Sequence, residues 1–226
     1  MAEVVKWQFR NPYHNPHQEA ERLFVFGSHT LVLTQQPTQH IDLRQNTGYL
    51  VWDGAYILSK FLFDHLSLRG KTCLELGAGS ALVSLVAHLK GADKVTATDM
   101  KEYQPFIHEN IARNIPNAED RKAIKVCELM WGQKTSISTV DVVFGSEILY
   151  LEDTHDLLLA TLQEIMHGGS VAYFIYKERG LNEHQFAEKA RTRFHIKELP
   201  KSLMDMEFRD EPYHLLRLTK KAFCNS

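Results

Sequence analysis

Apolar residues along this chain recur with two different periods, and the switches between them mark out strands and helices. Segments 22–26 and 29–34 carry Leu23, Val25, Leu31 and Leu33 in alternation about Gly27-Ser28, which predicts a β-hairpin. Segment 52–66 follows with Trp52, Ala55, Tyr56, Ile57, Leu58, Phe61, Leu62 and Phe63 close to helical spacing, ending near Arg69-Gly70. From Lys71 the pattern becomes regular. Strands are expected over 72–76, 94–98, 125–129 and 140–145, with helices over 81–89, 101–114 and 154–166 between or after them. Beyond Gly168-Gly169 come a β-prone run at 170–176, a helix near 183–193, and strands at 194–199 and 213–219 that can close as an antiparallel hairpin at a sheet edge. Strands alternating with helices of this length predict an α/β fold: a doubly wound, largely parallel sheet covered on both faces, with ligands at the carboxyl ends of its strands.

The opening segment breaks this order. Asn11, Pro12, His14, Asn15, Pro16 and His17 make it polar and turn-rich, so 1–21 reads as a flexible arm. The remainder, 22–226, reads as a single domain in which 22–50 is a β-appendage, and a chain of 226 residues with 44% apolar content can bury one sizeable core. Charge removes some partners. A net charge of -2 and a pI near 6.6, with no basic stripe, give no general pull toward nucleic acid or anionic membrane. Cys73, Cys127 and Cys224 have no CxxC spacing and suit a reducing compartment. Segment 1–10 lacks the apolar core of a signal peptide, and no run is long enough for a membrane span, so a cytoplasmic monomer is expected. The 12 histidines lack metal-ligand spacing, and no metal is expected. Ser80, Ser84 and His88 share helical spacing without a strained nucleophile elbow, which disfavours a hydrolase.

The strongest local chemistry is Leu74-Glu75-Leu76-Gly77-Ala78-Gly79-Ser80, where a strand passes into a helix. Glycines there let the backbone approach a ligand, and the N–H groups of the next helix face it. Two ligands compete for such a turn, a nicotinamide dinucleotide and S-adenosylmethionine. The dinucleotide pattern wants a third glycine where this chain has Leu82. Asp99 ends the second strand about twenty residues on, where a carboxylate can accept from both hydroxyls of a ribose. The plainer alternative is a tight turn with Asp99 capping the following helix. Trp52 alone reads as a core aromatic, whereas Trp131, between a strand and Gly132, stands at the ligand edge where an adenine could contact it.

Taken together, Leu50-Val51-Trp52-Asp53-Gly54-Ala55, Glu75-Leu76-Gly77-Ala78-Gly79, Thr98-Asp99, Leu129-Met130-Trp131-Gly132 and Gly145-Ser146-Glu147-Ile148-Leu149-Tyr150 resemble the family 16 seven-β-strand protein lysine methyltransferases. The likeness is nearest the methyltransferase-like 21 group, whose members modify Hsp70 chaperones, the p97 ATPase or elongation factor 1-alpha. It implies a Rossmann-like seven-stranded sheet with an antiparallel C-terminal strand. It also implies that Trp52, Glu75, Gly77, Ala78, Gly79, Asp99, Trp131 and Ser146 hold S-adenosylmethionine, and that Glu147 and Tyr150 are the acidic and aromatic ends of the catalytic motif. Most relatives in the group have Asp where this chain has Glu147. The chemistry suits those residue types. A lysine ε-ammonium, with an ordinary pKa of about 10.4, has no lone pair until it loses a proton. An acid can orient the amine, and an aromatic wall can hold its head group. A protein lysine is therefore the expected substrate. A small-molecule amine, another protein nucleophile, and a non-catalytic cofactor-binding module are the alternatives.

Overall fold

The structure, a computed structural model, describes residues 15–37, 42, 44 and 46–221; His14, with the rest of 1–14, and Cys224 lie outside the described residues. β1 (Glu21–Phe26) and β2 (His29–Thr34) form the expected hairpin about Gly27. Its inward face is Phe24 and Phe26, while Leu23 and Val25 stay 68% and 61% exposed. The alternation thus holds two apolar faces, of which the aromatic one is buried. α1 (Asp53–His65) follows, then β3 (Thr72–Leu76), α2 (Leu82–Leu89), β4 (Lys94–Asp99), α3 (Gln104–Asn114), the single-turn α4 (Ala118–Arg121), β5 (Ile124–Glu128), β6 (Val140–Ser146), α5 (His155–Ile165), β7 (Met166–Lys177), α6 (Gln185–Ala190), β8 (Phe194–Glu198) and β9 (Tyr213–Lys220).

These strands make a seven-stranded sheet in the order β5-β4-β3-β6-β7-β9-β8. β9 runs antiparallel to both of its neighbours and the other pairings are parallel. The two C-terminal strands do pair with one another, but β9 inserts between β7 and β8, leaving β8 at the edge. The helix expected over 183–193 is cut to the six residues of α6. The Glu183 carboxylate is the reason, because it accepts from Arg179 N and Leu181 N at 3.1 and 2.9 Å and so belongs to the preceding loop.

Two apolar layers cover the sheet. On one face α1, α2, α3 and the hairpin pack with Cys73, Val95 and Phe144; on the other, α5 and α6 pack with Leu74, Leu76 and Phe174. The hairpin is joined to the body by a substitute for strand pairing. Val32 N donates to Asn114 Oδ1 at 2.8 Å while Asn114 Nδ2 donates to Val32 O at 2.9 Å, and one turn back Thr34 N donates to Asn110 Oδ1 at 2.8 Å. Both amides lie on one face of α3, four residues apart, and Asn110 is fully buried. Further along, Gln35 Nε2 donates to Pro16 O and Glu19 O at 2.9 and 2.7 Å, fastening 15–20 beside the hairpin. The chain builds outward from β3 to β5 on one side and from β6 to β7 on the other, so the carboxyl ends of β3, β4 and β6 flank the crevice where ligands bind in such sheets.

Candidate active site

The turn after β3 has the backbone its glycines predict. Gly77 and Gly79 take φ of 62° and 49°, in the left-handed region that disfavours other residues. A Cβ at Gly77 would lie 2.7 Å from Ile148, and one at Gly79 would lie 2.9 Å from the carbonyl oxygen of Gly48. The turn is therefore pressed from both sides, by the acidic motif and by the segment before α1. Asp99, at the end of β4, fixes it: Gly79 N donates to one carboxylate oxygen and Met100 N to the other, each at 2.8 Å. Burial pushes the Asp99 carboxyl up to about 6, and these two N–H groups oppose that rise.

A cavity of about 360 Å³ opens over this turn, a size that suits a nucleoside-containing ligand. Trp52, Gly77, Ala78, Gly79, Asp99, Trp131, Ser146, Glu147 and Tyr150 all line it. Met130, Trp131 and Leu157 give one apolar end suited to a purine ring, and the Asp99 carboxylate has acceptor capacity left for a diol. Among the described lining residues the cation at this cavity is Arg44, already paired with Asp153 at 2.9 Å. That donor set fits the uncharged ribose and purine of S-adenosylmethionine better than the pyrophosphate of a dinucleotide, which would ask for free cations or a glycine at Leu82.

Glu75 departs from its expected place at the cofactor. It shares the α2 face of β3 with Cys73, does not line the cavity, and accepts from Ser84 N and Ser84 Oγ at 2.8 and 2.6 Å. Burial pushes its carboxyl up to about 8, so at neutral pH it anchors the first turn of α2 largely as a neutral acid.

The acidic motif leaves β6 through a strained residue. Glu147 has φ of 55°, unusual for a side chain of its size, and its N–H still bonds Ile175 O at 2.9 Å. The bend turns its carboxylate toward α1, where a Cβ at Gly54 would lie 2.6 Å from Oε1. Tyr150 returns to the same wall, its hydroxyl 3.1 Å from Thr47 Oγ1. Trp52 sits just ahead of α1 rather than within it, and its Nε1 donates to Thr47 O at 2.9 Å. Thr47, Trp52, Glu147 and Tyr150 also line a second, smaller cavity of about 40 Å³ together with Arg179 and Leu181. They are the wall between the two.

Two residues at this wall carried no sequence signal. Arg179 Nη1 meets Glu147 Oε2 at 2.6 Å from a loop 32 residues away, and Thr47 reaches Tyr150 across 103. Gly54 lies inside a motif noted for its resemblance, but only the packing of Glu147 against it explains why a glycine stands in a helix there. Among the described residues no cluster of His, Cys, Asp or Glu could hold a metal.

A family model described as lysine methyltransferase matches residues 34–193. The chain is 34% identical over 180 residues to a protein N-lysine methyltransferase, METTL21A, of Danio rerio, covering 78% of this chain and 79% of that one. It is 35% identical over 159 residues to EEF1A lysine methyltransferase 3 of Mus musculus, covering 69% of this chain and 65% of the relative. Among solved structures, a glycopeptide N-methyltransferase, MtfA, complexed with sinefungin superimposes with a TM-score of 0.61 at 13% identity, over 84% of this chain and all of that one, a likeness of fold. With the family model spanning more than half its length, the chain belongs to the lysine methyltransferase family.

Proposed function

We propose that this protein transfers methyl groups from S-adenosylmethionine to a lysine side chain of a protein substrate, of the chaperone or translation elongation factor type. One observation carries the reading: Asp99 and Glu147 line a single cavity at the ends of strands on either side of β3, and Glu147 is shared with a second chamber. Bound with its ribose at Asp99, S-adenosylmethionine supplies an electrophilic methyl group on a sulfonium centre. The chain's own residues do the rest. Asp99 and the glycine turn hold the nucleoside, and Trp52 and Tyr150 form an aromatic wall for the acceptor's head group. Glu147 accepts a hydrogen bond from the acceptor nitrogen and orients its lone pair. The substrate class is supported by the relative named for EEF1A. A cytoplasmic setting is supported by Cys73 and Cys127, which are free thiols.

Incubation of cell lysate with methyl-labelled S-adenosylmethionine tests the substrate class: label is expected on protein, and label confined to low-mass products would defeat the reading. The role of the acid is tested by Glu147→Gln, which is nearly isosteric. Its adenosylhomocysteine affinity is expected to match the wild type while transfer slows by roughly 10² or more. Tyr150→Phe keeps the aromatic wall and is expected to lose less. Wild-type transfer by Glu147→Gln would withdraw the catalytic assignment.

A further inference from the structure

A site that methylates lysine has a charge problem that its own acidic residue aggravates. The acceptor must be a neutral amine, yet a lone carboxylate beside it favours the ammonium form. Left alone, Glu147 would hold a lysine in its unreactive state. It is not left alone: Arg179 Nη1 lies 2.6 Å from Glu147 Oε2, and the Glu147 side chain is only 5% exposed. A guanidinium does not give up its proton; burial pushes the Glu147 carboxyl up, and the hydrogen bond and positive charge of Arg179 oppose that rise, favouring the ion pair.

The loop after β7 is built to hold Arg179 there. Its backbone N–H and that of Leu181 are clamped by the buried Glu183 carboxylate, Gly180 takes a left-handed φ of 79°, and Asn182 Nδ2 donates to Glu152 at 2.7 Å. The guanidinium carbon lies 5.7 Å from the centre of the Trp52 ring, a cation–π contact with the same wall.

The other charges facing Glu147 are committed as well. Asp53, which opens α1, has Arg22 of β1 at 3.6 Å. Lys177, whose backbone N–H lies 3.4 Å from Glu147 Oε2, sends its Nζ to Glu211 at 2.9 Å. Burial raises the Tyr150 and Tyr213 hydroxyls and lowers His17, so all three are neutral near pH 7. Among the described residues, Glu147 and the carboxylate that faces it, Asp53, each have a cationic partner of their own. A neutral amine still finds an acceptor, because Oε1 of Glu147 is without a hydrogen-bond partner among the described residues.

We propose that Arg179 is a positioning residue for methyl transfer: by committing the Glu147 carboxylate to a guanidinium, it lets that carboxylate accept from an amine without stabilising an ammonium, so the acceptor lysine is held as its free base. The inference rests on the reading of Glu147 as the acid on the acceptor side. The lysine proton leaves to water past Arg179 and Leu181, which line the smaller chamber, and the nitrogen keeps its lone pair.

Two readouts test it. Sinefungin carries an amino group where S-adenosylmethionine carries its methyl, and adenosylhomocysteine carries neither, so the ratio of their affinities reports the tolerance of the site for a cation. Calorimetry at pH 7 is expected to show Arg179→Met moving that ratio toward sinefungin by about tenfold or more, with Arg179→Lys close to wild type. The rate of transfer to lysate protein, followed from pH 6.5 to 9.5 (about the range in which a perturbed lysine titrates), is expected to shift to higher pH by about one unit or more in Arg179→Met, with activity recovered at the alkaline end. Arg179→Gln serves the same purpose if the methionine variant does not fold. An unmoved affinity ratio, a uniform loss of rate at all pH values, or a lowered KM with an unchanged pH profile overturns the proposal. If the wild type neither binds adenosylhomocysteine nor labels protein, the proposed function falls and takes this inference with it. Wild-type binding and transfer with an unmoved Arg179→Met sinks this inference alone.

Discussion

Asp99 accepts two backbone N–H groups at 2.8 Å and is nonetheless pushed up to about 6, so its capacity to hold a ribose depends on pH. Above that value the group is ionised and accepts from both hydroxyls; as pH falls through it, protonation removes acceptor capacity. The affinity for adenosylhomocysteine is therefore expected to be flat above pH 7 and to weaken as pH drops past about 6. Asp99→Ala is expected to bind more weakly throughout, by about 1.5–3 kcal/mol for each charged hydrogen bond lost, and to lack the acid limb. Calorimetry across that range checks both; an acid limb that survives in Asp99→Ala belongs to another group. Gly54 makes a second case. Alanine is favoured over glycine within a helix by about 1 kcal/mol, but here its Cβ would lie 2.6 Å from Glu147 Oε1. Gly54→Ala is expected to slow methyl transfer while leaving adenosylhomocysteine affinity and thermal stability near wild type, and undiminished transfer would mean that Glu147 has room to move. What could be read residue by residue was whatever forms a short local motif or keeps a set spacing from one: the glycine turn, Asp99 about twenty residues beyond it, and Glu147 to Tyr150. Glu75 was misread for the same reason. It adjoins the turn in sequence, yet strand alternation aims it at α2.

At the scale of elements, the hairpin of β1 and β2 depends on α3 through two amides rather than through a third strand. Asn110 is fully buried and gives both halves of its amide to Thr34, with Oδ1 accepting from Thr34 N at 2.8 Å and Nδ2 donating to Thr34 O at 3.4 Å. Asn110→Ala leaves those backbone groups without partners and is expected to destabilise the protein by about 1–3 kcal/mol in urea unfolding. Hydrogen exchange is expected to quicken at the Thr34 amide; unchanged protection there would show that the hairpin is held by its Phe24 and Phe26 face alone. Sequence periodicity delivered the strands and main helices because burial on one or both faces writes itself into the order of residues. It overextended the helix at 183–193, where Glu183 acts through its side chain on the loop before it, a use that periodicity does not record.

For the molecule as a whole, alternation of strands and helices predicted a parallel, doubly wound sheet, but the seat of β9 between β7 and β8 depends on which edges are left open once the rest has formed. A run such as 213–219 announces a strand and not its neighbours. The same separation in sequence hid how the smaller chamber is assembled, from the segment before α1, the end of β6 and the loop after β7, and with it the parts played by Thr47 and Arg179. The shared wall of Thr47, Trp52, Glu147 and Tyr150 has a kinetic consequence. The larger chamber is bordered by the exposed side chains of Met130 and Leu157, the smaller by Leu181, so on the proposed reading spent cofactor and modified lysine are expected to leave by separate exits. A lysine is then expected to stay seated while the cofactor is exchanged, so that successive methyl groups are added in one encounter. Mass spectra taken early, with substrate in large excess over enzyme, are expected to contain multiply methylated product beside abundant unmodified substrate. Accumulation of monomethyl product alone at that stage would mean that the lysine leaves after every turnover.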